Sequence, residues 1–65
     1  MSFTEFARRI SSFAWNAGED EPIIFEDGEK GKFVAAFRDG TRCTGNSTTG
    51  ALTFMDVAGR TFMLK

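Results

Sequence analysis

The chain has 65 residues, enough for one domain and close to the lower size at which a core holds without disulfides, metal or a partner. Hydrophobic residues make up 42% of it and eight residues are Phe, a composition that excludes a disordered chain. The net charge of −1 and pI near 5.2 fall well short of the basic balance of a dedicated nucleic-acid-binding domain.

The first element is a helix over about 3–17. Ser2 and Glu5 have the spacing of a capping box, in which each side chain satisfies a free backbone amide of the other. At 100° per residue, Phe3, Phe6, Ala7, Ile10, Phe13, Ala14 and Ala17 fall within an arc of about 120°, with Glu5, Arg8, Arg9, Ser12 and Asn16 outside it. Phe6, Ile10 and Phe13 are therefore expected to be buried. Gly18 offers the left-handed conformation that ends helices, and Pro22 prevents continuation. Trp15 lies off the stripe. Its ordinary explanation is that the chain after Gly18 folds back over it; its functional one is a partner-binding anchor.

Residues 18–22 form an acidic connection leading into a β-meander over 23–65. Short β-type runs separated by Gly-containing turns give five candidate strands, at 23–26, 32–38, 41–45, 51–56 and 60–64. A three-residue loop at 38–40 with Gly40 left-handed pairs Phe37 with Thr41 and Ala35 with Cys43, which keeps Arg42 off the aromatic face. The same loop form at 57–59 pairs Asp56 with Arg60, Phe54 with Phe62 and Leu52 with Leu64, so Gly59 should have positive φ. Thr53, Met55, Thr61 and Met63 then lie on the reverse, mixed face, where the helix or an edge would cover the methionines. The expected fold is α+β: an N-terminal amphipathic helix packed on a curved five-stranded antiparallel meander. Closure into a small barrel would bury both faces, and a flat sheet with the helix on one face is the alternative.

Chemistry is sparse. With no His, no Tyr and one Cys, no catalytic triad can be assembled, and Cys43 among aromatics reads as a small core residue. The single cysteine excludes an internal disulfide and points to a reducing, cytoplasmic compartment. Glu5, Arg8 and Arg9 interrupt any signal-peptide apolar region, and the longest apolar run, 33–37, is too short to span a bilayer. Asp27 and Glu29 around Gly28 lack the preceding acids of a calcium loop, and the Gly45–Gly50 segment lacks the Lys of a phosphate loop. No enzyme activity, cofactor or metal is expected.

Charge is unevenly placed. Residues 1–31 carry seven carboxylates against three basic side chains, and residues 32–65 carry two against five. The first functional reading is a small non-enzymatic protein-interaction module, a regulator or inhibitor. Its candidate contact residues are Trp15, Glu19, Asp20, Glu21, Glu26, Asp27 and Glu29, toward a basic protein partner. The second is a nucleic-acid-binding β-barrel using Lys32, Arg38, Arg42 and Arg60 on one continuous surface. A self-assembling structural protein, its outer strands pairing edge to edge, is the third.

Overall fold

The computed structural model describes residues 1–28 and 31–64, arranged as one helix and five strands. Helix α1 spans Phe3–Ala17 and is followed by β1 (Ile23–Glu26), β2 (Lys32–Ala36), β3 (Arg42–Asn46), β4 (Leu52–Met55) and β5 (Thr61–Leu64). Ser2 caps α1, its Oγ accepting the Glu5 N–H at 3.1 Å, which is the Ser2 half of the expected capping box. The reciprocal bond to the Glu5 carboxylate is not among those of the described residues. At the other end Gly18 takes φ +70°, its N–H donating to the Trp15 carbonyl while the Glu19 N–H donates to that of Ala14. This pair of bonds closes the helix and reverses the chain.

All neighbouring strands pair antiparallel in the order β1-β2-β3-β4-β5, an open sheet with two free edges. The barrel form is thus not adopted, and the helix-on-one-face arrangement is. The expected registers are present: Ala35 opposes Cys43, Phe54 opposes Phe62 and Leu52 opposes Leu64. The Phe37 N–H donates to the Thr41 carbonyl and the Asp56 N–H to that of Arg60. Gly40 and Gly59 have φ of +95° and +84°, the left-handed position the three-residue loops require. Asp39 and Asp56 complete the two turns by accepting backbone N–H groups, from Thr41 at 2.8 Å and from Ala58 and Arg60 at 3.0 and 2.9 Å. The outer strand residues that sequence alternation included, 37–38, 41, 56 and 60, lie in these turns or at their margins, and residue 51 lies beside the β3–β4 turn.

The core lies between α1 and one face of the sheet. Phe6, Ile10, Ala14, Phe33, Ala35, Phe37, Cys43, Leu52 and Phe54 are buried there, with Phe3, Phe13 and Ile24 packed against them. Phe13 is thus half-buried rather than fully enclosed, and Ala17, at the far end of the stripe, is exposed. The rings form two groups. Phe33 meets Phe3 and Phe6 with centroids 5.5 Å away in each case, and Phe54 meets Phe13 at 4.6 Å and Phe62 at 4.9 Å. Gly45 lies inside β3 beneath Phe6, where a Cβ would stand 2.5 Å from Phe6 Cδ1. From the sequence alone this glycine ends the 41–45 strand and opens the Gly45–Gly50 loop, and alternation cannot reveal how closely a ring approaches the backbone.

Candidate functional site

The Schellman turn at Gly18 sets the path of the chain beyond the helix. Ile10 and Ala14 face the sheet, and one residue on, about 100° around the helix, Trp15 points away from it. The chain after Gly18 does not fold back over the indole, which is 86% exposed. The expectation that it would be covered is corrected by the direction of that turn, which sends the connection toward the sheet edge. Trp15 lines a shallow hollow with Ser11, Ala14, Glu19 and Glu21.

Glu19, Asp20 and Glu21 are all exposed and come after a helix whose last turn has no basic residue. Carboxylates at a helix C-terminus meet the negative end of its dipole, an unfavourable placement unless a cation compensates. Asp20 has one, the Arg38 guanidinium at 3.3 Å. Glu19 and Glu21 have no ion pair among the described residues. Glu26 and Asp27 do not join this group. They stand at the opposite end of β1, whose four residues hold the two acidic groups more than about 13 Å apart. Glu29 lies outside the described residues.

The cations are dispersed over more than one surface. Strand alternation puts Lys32 and Arg42 on the sheet face away from the helix. Arg38 is tied to Asp20 at the β2–β3 turn, and Arg60 stands on the helix side, its Nε donating to Asp56 Oδ2 at 2.9 Å. The single continuous surface expected of Lys32, Arg38, Arg42 and Arg60 is therefore not formed, because the odd–even parity of β2 and β3 is opposite to that of the β4–β5 turn.

The helix-distal face is bare, contrary to the expectation that the helix or an edge would cover its methionines. Met55 and Met63 are 51% and 63% exposed, and they share the face with exposed Ile23 and Phe25 and half-buried Val34 and Ala36. One helix covers only one side of an open sheet, so among the described residues the methionines have no layer above them. Arg42 lies between Ala36 and Met55 on this surface.

Cys43 is fully buried, and burial pushes its thiol up to about 12, against a small opposing effect of Arg9, so it is a protonated core side chain at neutral pH. No group of three or more His, Cys, Asp or Glu that could hold a metal occurs among the described residues, and no described helix is long and apolar enough to cross a membrane. Comparison of the chain with protein-family models, with curated proteins and with solved structures finds no match in any of the three.

Proposed function

We propose that this protein is a small non-enzymatic interaction module of a reducing, cytoplasmic compartment that binds a basic protein partner through Trp15, Glu19 and Glu21. The observation that carries this reading is the 86% exposed indole set in one hollow with two carboxylates that lack a cation among the described residues. An exposed Trp gains most when a partner desolvates it, and the carboxylates at the helix C-terminus favour a partner that brings positive charge.

Affinity capture from the native host with mass spectrometry identifies the partner, and binding kinetics then test the surface. Replacing Glu19 and Glu21 together with Gln lowers the association rate and flattens its salt dependence, because charge steers encounter. Trp15→Ala chiefly raises the dissociation rate. A second reading is favoured by Arg42 between Ala36 and Met55 on the uncovered sheet face, which fits a partner offering an apolar segment with a carboxylate. If the Trp15 and Glu variants bind as wild type while Arg42→Ala or Met55→Ala abolishes binding, that face replaces the first.

A further inference from the structure

The two free edges of the sheet are not equivalent. The β1 edge comes after Pro22 and is flanked or occupied by Glu21, Glu26 and Asp27, the kind of proline and charge that blocks strand addition. The β5 edge carries Thr61, Phe62, Met63 and Leu64, every one exposed and none charged or Pro. Arg60, which precedes it, is already engaged by Asp56 at 2.9 Å; Lys65 follows it in the sequence, and Arg8 and Arg9 line a hollow with Leu64 on the helix side. Among the described residues no strand pairs with the outer side of β5.

The backbone of this edge is laid out for self-pairing. The Asp56 N–H donates to the Arg60 carbonyl, so Arg60 turns its backbone groups toward β4. Alternation along an antiparallel ladder then turns Phe62 and Leu64 inward as well and leaves the N–H and C=O of Thr61 and Met63 directed outward. Side chains agree with this. Phe62 stacks on Phe54 with the rings within 5° of parallel, yet remains 51% exposed.

We propose that β5 is the pairing edge for a second copy of this chain, joined antiparallel about a two-fold axis perpendicular to the sheet and centred on Phe62. In this register Thr61 opposes the partner's Met63 and the reverse, giving about four backbone hydrogen bonds from the outward groups. Phe62 opposes its own copy at a non-hydrogen-bonded position, where Cα atoms stand about 4.5 Å apart and side chains meet most closely. The two five-stranded sheets become one continuous sheet with both helices on the same side. The acidic residues around β1 end at the two outer edges of that sheet, as far apart as the assembly allows.

Sedimentation velocity over a concentration series tests the association, and the expected result is a monomer–dimer equilibrium that does not grow further. Phe62→Lys and Phe62→Glu each place like charges opposite one another and should give monomers, whereas an equimolar mixture of the two should restore a dimer. The register is read independently from oxidation. Phe62→Cys should form a cross-linked dimer, while Met63→Cys should not, since its Cα would lie about 8 Å from its copy, beyond disulfide reach. Wild type should not cross-link, because Cys43 is buried. Where the charged variants prove unfolded by circular dichroism, the cysteine pair decides. A chain that stays monomeric throughout, growth beyond a dimer, charged variants that sediment as wild type, or equal cross-linking at 63 would each overturn the proposal.

Discussion

Gly45 and the two turn aspartates show how single residues set local geometry. Gly45 gives Phe6 room to lie against β3, so Gly45→Ala should cost about 1–3 kcal/mol through overpacking, measured by urea denaturation. The penalty depends on the ring. In a double-mutant cycle with Phe6→Leu, a milder truncation, the added methyl should find space, and the double variant should be less destabilised than the sum of the single ones. Asp39 and Asp56 both have their carboxyls held below the ordinary value of 3.8, first by backbone N–H donors, from Thr41 and Arg60 respectively. A carboxylate depressed on folding contributes stability that is fully present above its unfolded value and lost as pH falls through the folded one. Denaturation midpoints should therefore drop as pH falls below roughly 4, and Asp39→Asn with Asp56→Asn should flatten that drop.

At the scale of elements, α1 is attached through few but fully enclosed side chains. Phe6 and Ile10 are completely buried, and Phe6→Ala should cost about 3–5 kcal/mol. A domain of this size has roughly 3–10 kcal/mol in total, so the variant should lose about a third or more of its stability and melt at a markedly lower temperature. The β4–β5 hairpin makes a separate demand. Gly59 has φ +84° with open space where a side chain would go, so Gly59→Val acts through backbone strain alone. It should destabilise by about 1–3 kcal/mol, and Gly59→Asn should recover part of that loss, because Asn tolerates the left-handed region.

The whole molecule is two layers, with one side of the sheet lacking a cover. Met55→Lys and Met63→Thr on that side should leave the denaturation midpoint nearly unchanged, within about 0.5 kcal/mol, since neither side chain is enclosed. Cys43 supplies a matching readout of the covered side. Its buried thiol should react with a disulfide reagent only as fast as the domain opens, and Phe6→Ala should accelerate that reaction sharply.

The sequence by itself determined the helix, its caps, the five strands and the registers at both three-residue turns. Those features rest on interactions within a few residues: Ser2 with the Glu5 amide, a left-handed Gly after the helix or in a loop, and the two-residue alternation that puts Phe54 and Phe62 on one face. Alternation states which side chains share a face, but not whether anything covers it. Only the tertiary structure decided that the sheet stays open, that Met55 and Met63 are uncovered, and that the Phe6 ring lies directly over Gly45. It also split one acidic stretch of sequence into two groups. Glu19 and Glu21 join Trp15, and β1 carries Glu26 and Asp27 to the other end of the sheet, because an extended strand separates its ends by about 3.3 Å per residue.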